Sequence, residues 1–270
     1  MMWRNVWSKV LAALMLFLGI AAGRAEENSV FGVTQPISAS LMGAFYDLKQ
    51  TPTHLLTGMN PNLYSQVIDR YLARNWDERI LNPYFQVSTT LYSTQIFIPN
   101  MNADAAPKAF RAGKMVAPSM WVVHYKGQVS PPTPGTYRFW GCADDAFAAA
   151  VNGKTVLVAC RPDMRMPNVK WRSSEPPGAQ AADDPLVAGD WMTIGPNQII
   201  DLDVLVGERP GGQFNAFMLV EKQGEEYQRD SRGHPIFPIF QLAEYKTPEL
   251  NNLGAEPKFA RGYPPWIGYQ

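Results

Sequence analysis

The sequence predicts an all-β fold: an antiparallel β-sandwich with one inserted helix and a long irregular C-terminal tail. Three observations predict it. Apolar and polar residues alternate with period two through most of the chain, turn residues separate those runs, and a single segment carries helical spacing instead. With 46% hydrophobic and 18% charged residues in 270, the chain can bury a sizeable core and is not compositionally disordered. Lys plus Arg equals Asp plus Glu, so charge singles out neither nucleic acid nor any other partner.

The first residues, MMWRNVWSKVLAALMLFLGIAAGRAEE, place Arg4 and Lys9 before an apolar run and small residues after it. That order is read as a signal peptide over residues 1–25, with a secreted, periplasmic or cell-surface destination. The run is shorter than the ~20 residues a spanning helix needs, so no stable membrane span is expected after cleavage.

The strands follow in order. One is expected around Ala44 to Leu48 and another within Gln86 to Ile98, which is rich in Thr, Val and Ile. Trp121, Val123 and Tyr125 alternate with Val122, His124 and Lys126; Tyr137, Phe139 and Gly141 alternate with Arg138 and Trp140. Ile200, Leu202, Val204 and Val206 form one stripe, and Phe214, Ala216, Met218 and Val220 another. Such alternation fits antiparallel strands with one face buried. Asn152-Gly153 reads as the tight turn of a hairpin.

One segment departs from this pattern. In NPNLYSQVIDRYLARNWDE, Tyr64, Val67, Ile68, Tyr71 and Leu72 recur at three- and four-residue spacing, with Asn60 or Asn62 to cap and Pro61 near the first turn. This helix is expected to cover a sheet edge or one end of the sandwich. Arg161 to Asp190 reads as a long surface loop holding Trp171 and the acid pair Asp183-Asp184. Residues 224–270, with HPIFPIF and RGYPPWIGYQ, read as a proline- and aromatic-rich tail, leaving 26–223 as the sandwich domain. Phe237, Phe240, Tyr263, Pro265 and Trp266 could dock another protein or fold back on the sandwich.

Cys142 and Cys160 meet an oxidising compartment if the chain is exported. A bridge between them would add roughly 3 kcal/mol by constraining the unfolded chain. The hairpin turn favours it by returning Cys160 toward Cys142; two buried thiols are the alternative.

The order WVVHYKGQV at 121 to 129, PGTYRF at 134 to 139, ADD at 143 to 145 and VNGKTV at 151 to 156 resembles the PA14 domain family. GAFYDL at 43 to 48 is similar to its opening strand, and GPNQIIDLDVLVGERPGGQFNAFMLVE to its closing pair, so the resemblance spans about 41 to 222. It implies a β-sandwich of secreted and surface proteins that often bind carbohydrate. In the family's fungal adhesins the paired aspartates are joined by a cis peptide and bind calcium, which holds sugar hydroxyls. That would make Asp144 and Asp145 metal ligands, a hard cation taking several oxygens, with Asn215 and Asp183 or Asp184 as further candidate oxygens. Both acids can equally serve as acceptors for backbone amides in a turn.

No enzyme signature stands out. His54, His124 and His234 do not match a zinc spacing, and no serine or cysteine has a nucleophile context. The expected function is therefore a non-enzymatic ligand-binding module for carbohydrate or surface glycan, calcium-assisted as the resemblance implies. Asp144, Asp145, Asn215 and a stacking Trp171 are its candidate ligand residues. The alternative is a structural component that uses the tail to join an envelope protein.

Overall fold

The computed structural model describes residues 29–171, 180–181, 184–244 and 259–269, with backbone only for 180–181 and 184–185. The signal peptide expected over residues 1–25 and Asp183 lie outside the described residues. The strands are β1 Leu41–Asp47, β2 Phe85–Gln86, β3 Leu91–Ser93, β4 Phe97–Asn102, β5 Trp121–Ser130, β6 Gly135–Asp144, β7 Ala146–Val151 and β8 Lys154–Val158. They continue with β9 Gln180–Ala181, β10 Asp184–Pro185, β11 Val187–Ala188, β12 Met192–Ile194, β13 Ile200–Glu208, β14 Gln213–Lys222 and β15 Ile267–Tyr269. Among the described residues two α-helices, α1 Pro61–Ala73 and α2 Ala105–Ala109, and a short 3-10 helix at Glu78–Ile80 interrupt them.

Among the described residues two large antiparallel sheets result, beside the short antiparallel pair β9–β10. The larger runs β2-β1-β5-β13-β7-β8, with β3 also against β1 and β15 against β5. The smaller runs β11-β6-β14-β4, with β12 also against β6. The stretch expected as one strand over Gln86 to Ile98 divides into three. Its first two parts pair with β1, and the chain then crosses to pair β4 with β14 in the other sheet.

Alternation decides what fills the space between the sheets. Trp121, Val123 and Tyr125 from β5, Val204 and Val206 from β13, Phe139 from β6, and Phe214, Ala216 and Met218 from β14 all join one buried cluster. The other face of the larger sheet does not meet water, as simple alternation would suggest. Val122, Leu205, Ala146, Ala148 and Ala150 pack there against Tyr64, Val67, Ile68, Tyr71 and Leu72 of α1. Small residues let the helix lie close. A Cβ on Gly207 would stand 2.2 Å from the Tyr64 hydroxyl, which itself donates to the Trp121 carbonyl at 3.1 Å.

The helix begins where its cap directs. Asn60 takes an extended conformation and its side chain accepts from the amides of Asn62 and Leu63, with Pro61 in the first turn. Its buried Asp69 accepts from the Asn168 and Val169 amides, both at 2.9 Å, and so ties the loop after β8 to the helix. The β7–β8 hairpin turns at Asn152 and Gly153, both with positive φ, as a two-residue loop matched to strand twist requires.

The described residues after Gln223 pack on the sandwich, the fold-back that the sequence left open for the tail. Among the described residues no long strand forms there, but the Val220 amide donates to the Pro238 carbonyl and the Phe240 amide to the Met218 carbonyl, extending the smaller sheet beyond the end of β4. Phe237 and Ile239 cover that sheet's outer face with Trp140, Phe217 and Leu219. Phe240 and Trp266 enter the central core beside Phe139, and β15 joins the larger sheet. Of the anchors considered for a docking partner, Phe237, Phe240 and Trp266 are thus used internally, while Tyr263 and Pro265 stay half-buried. The physical reason is that β14 runs on through residues 218–222 beyond its pairing with β4, leaving an edge that the chain's own tail satisfies.

The disulfide expectation is also corrected: Cys142 and Cys160 are not bonded to each other. Cys142 lies in the apolar layer outside the smaller sheet, and Cys160 packs against the layer outside the larger one. Two sheets about 10 Å apart stand between those faces, whereas a bridge needs Cα atoms within about 7 Å. The hairpin returns Cys160 as expected, but along the larger sheet, whereas Cys142 stays in β6 of the smaller one.

Removing Phe240, fully buried between Phe139 and Trp266, tests the role of the tail. Phe240→Ala is expected to lower stability by about 3–5 kcal/mol in chemical denaturation. A loss below about 1 kcal/mol would mean that the tail is not part of the cooperative core.

Candidate functional site

Asp144 ends β6 in the smaller sheet and Ala146 begins β7 in the larger one, so Asp145 alone spans the crossing. The peptide between the two aspartates is cis. The Asp145 amide donates to the Gly207 carbonyl at 3.2 Å, and its carbonyl accepts from the Arg161 amide at 2.8 Å. The acidic pair thus sits at one corner of the sandwich, beside the end of β13 and the start of the loop that follows β8.

The carboxylates have definite partners. Asp145 Oδ2 accepts from the Arg209 amide at 2.7 Å, and Oδ1 from Arg209 Nη2 at 3.1 Å. The same Nη2 reaches both oxygens of Asp163, at 2.7 and 2.8 Å. Asp144 Oδ1 accepts from Arg161 Nη1 at 2.9 Å, while Arg161 Nε stands 3.9 Å from oxygens of Asp145 and Asp163. Asp145 and Arg209 are largely buried, their side chains 7% and 11% exposed, whereas that of Arg161 is 41% exposed. The corner is therefore a chain of alternating charge that runs from the interior to the surface.

Besides Arg209 Nε, two further side chains at the corner hold a buried polar atom without a partner. Asn215 of β14 lies directly opposite Asp144, and the two share the outer face of the smaller sheet, where cross-strand side chains adjoin. Its Oδ1 is buried without a hydrogen-bond partner. It falls where the β14–β4 register shifts, between Phe214 and Ala216, and the β4 residue Pro99 opposite that shift has no amide to contribute to the ladder. Glu208, also fully buried, accepts from the Gly212 amide at 3.4 Å through Oε1, while Oε2 has no partner.

Burial, then the charges of Asp145 and Asp144, push the Glu208 carboxyl up to about 9, so it carries a proton at neutral pH. Burial also raises Asp145, against the lowering effect of the Arg209 amide and guanidinium. Hydrogen bonding to the same guanidinium draws the Asp163 carboxyl below its ordinary value.

Other sequence candidates lie elsewhere. Trp171 packs against the apolar layers on both faces of the larger sheet, so its ring helps close the core at the sheet edge. Of Asp184 only the backbone in β10 is described. His124 is buried beneath α1 between the Tyr71 hydroxyl, at 3.3 Å from Nδ1, and Asp203, at 2.7 Å from Nε2, and faces no cleft as a base would. Sequence reasoning missed Arg161, Asp163, Glu208 and Arg209. The GERPGG turn held the signal for two of them, since a charged pair at the tip of an apolar hairpin calls for a partner.

A calcium ion takes six to eight oxygens at about 2.3–2.6 Å. Here the oxygens of Asp145 and one of Asp144 face guanidinium and amide donors instead, so this donor set does not fit that ion. Among the described residues no group of three His, Cys, Asp or Glu side chains is placed to hold a metal.

No protein-family model and no curated protein matches the chain. Among solved structures, the PA14 sugar-binding domain from an RTX adhesin aligns at 16% identity and TM-score 0.42, over 71% of this chain and 94% of that one. The chain is similar to PA14 domains. The PA14 domain of the MpAFP antifreeze protein aligns at 17% identity and TM-score 0.41, over 71% and 87%. The Epithelial Adhesin 6 A domain from Candida glabrata, solved with Galb1-3GlcNAc, aligns at 12% and 0.39, over 81% and 98%.

Glu208 makes the corner pH-sensitive. Between its ordinary value of 4.5 and about 9, the folded chain holds a proton that the unfolded chain has lost. Its contribution therefore favours folding most at the acid end and weakens as pH rises, by at most about 1.4 kcal/mol per pH unit. Glu208→Gln is expected to flatten the fall of melting temperature between about pH 5 and 9. Parallel curves for the two proteins would refute this.

Proposed function

We propose that this chain is an exported, non-enzymatic carbohydrate-binding module whose ligand site is the sheet-crossing corner of Asp144, Arg161 and Asn215. The observation that carries this reading is the buried, unpartnered Oδ1 of Asn215 beside the surface-reaching Asp144–Arg161 pair. A buried acceptor without a donor costs about 1–3 kcal/mol, and a ligand hydroxyl reaching it would recover much of that. Saccharide hydroxyls both donate and accept. One can donate to Asn215 and Asp144 while its neighbour accepts from Arg161, as charge-assisted bonds that are the stronger kind.

The order of motifs from β5 to β14, similar to that of PA14 domains, supports carbohydrate as the ligand class. Asp145 and Arg209 act as positioning residues: their buried pair holds the crossing and the β13–β14 turn together behind the contact groups. Trp171 contributes by closing the core, and stacking on a sugar ring is not required of it. Phe237, Phe240 and Trp266 are buried within the chain, so a scaffold reading built on a free docking tail lacks its anchors. No helix among the described residues is long and apolar enough to cross a membrane.

A glycan array with the chain lacking residues 1–25 tests the proposal. Binding to a defined saccharide is expected, and Arg161→Gln and Asn215→Ala should each weaken it roughly tenfold, equivalent to about 1.4 kcal/mol. Absence of binding across the array, or binding that both variants leave intact, would sink it.

A further inference from the structure

We infer that Arg161 and Arg209 take the electrostatic place of a divalent cation at this corner, so that the paired aspartates are held without metal. This inference concerns the same site as the carbohydrate reading but does not require that reading to hold.

The argument starts from charge. Asp144, Asp145 and Asp163 bring three carboxylates, and Arg161 and Arg209 bring two guanidinium groups within ion-pair distance of them. The cluster is thus one charge short of neutral before any ion arrives. A dication placed between the aspartates would stand beside both guanidinium groups, and repulsion between close like charges is strong where water is partly excluded.

Geometry points the same way. Arg209 binds both oxygens of Asp145, one through its amide and one through Nη2, and Nη2 continues to Asp163. A backbone amide cannot swing aside as a side chain can, so one lone pair of Asp145 Oδ2 stays engaged and a metal would have to share that oxygen with the Arg209 amide. The guanidinium is itself almost buried, and losing Asp145 would leave it only the exposed carboxylate of Asp163 as a partner. At Asp144 the displaced group would be Arg161 Nη1. A planar guanidinium suits this task because its several donors are fixed in one fork and can bridge carboxylates that a lysine would meet only as a point charge.

The placement of the two arginines explains why their role is hidden in sequence. Arg161 comes from the segment after β8 and Arg209 from the turn after β13, so they are separated along the chain from the aspartates and from each other. Only the sheet crossing at Asp145 brings the ends of β6, β8 and β13 to one point.

The test measures melting temperature without glycan, in chelator and with calcium up to about 1 mM, the weak end of extracellular calcium modules. The unmodified chain is expected to melt at the same temperature in both. Arg161→Gln, at the exposed end of the cluster, is expected to gain a calcium-dependent rise, because it frees one carboxylate. Arg209→Gln should melt lower in chelator and be partly restored by calcium. If Arg209→Gln does not fold, Arg161→Gln decides.

A calcium-dependent rise in the unmodified chain would overturn the inference, as would the absence of any calcium response in every folded variant. Glycan binding by the unmodified chain that persists in chelator would support it, and binding that chelator abolishes would refute it. A chain that binds no glycan in either condition refutes the carbohydrate reading alone and leaves the melting result to decide this one.

Discussion

The structure depends on one buried ion pair, between Asp145 and Arg209. The chain passes from the smaller sheet to the larger through a single residue, and that residue carries a carboxylate into the interior of a corner. A carboxylate there is tolerable only with a partner of opposite charge and filled hydrogen-bond positions. The Arg209 amide and guanidinium meet both needs, and in doing so fasten the β13–β14 turn to the crossing. Strands β6 and β14 are thereby registered at their common end, where Asn215 faces Asp144.

Around that point the sandwich is built in four layers rather than two. Helix α1 lies on the larger sheet, the sheets enclose the central core, and the segment around Phe237 and Ile239 lies on the smaller sheet. The run of alanines after the acidic pair belongs to this design. Ala146, Ala148 and Ala150 face the helix and are small enough to let Tyr64 and Tyr71 reach the sheet. The aspartates and the alanines that follow them are thus parts of one passage, the first closing a corner and the second making room beside it.

Much of the fold was legible because strand alternation is local. The stripes at Trp121 to Tyr125 and Phe214 to Val220, the capped helix at Asn60 and the Asn152-Gly153 turn each need only a few neighbouring residues to be recognised. The acidic pair was legible as a corner for the same reason, since a strand pattern stops there. Its arginine partners were not, because an ion pair between Asp145 and Arg209 joins residues sixty-four positions apart and leaves no periodic trace.

By itself, the sequence determined the class of fold, the position of the helix, the hairpin turn and the placing of two acids at a strand end, all set by short-range pattern and backbone chemistry. Only the tertiary structure decided which sheet each strand joined. From that single assignment it follows that Cys142 and Cys160 face opposite sides of the sandwich, that the tail fills an open edge of β14, and that guanidinium groups stand against the aspartates. The physical reason is common to all three. Side-chain period reports which way a residue points within its own strand, while the identity of what it points at depends on pairings between strands far apart in the chain.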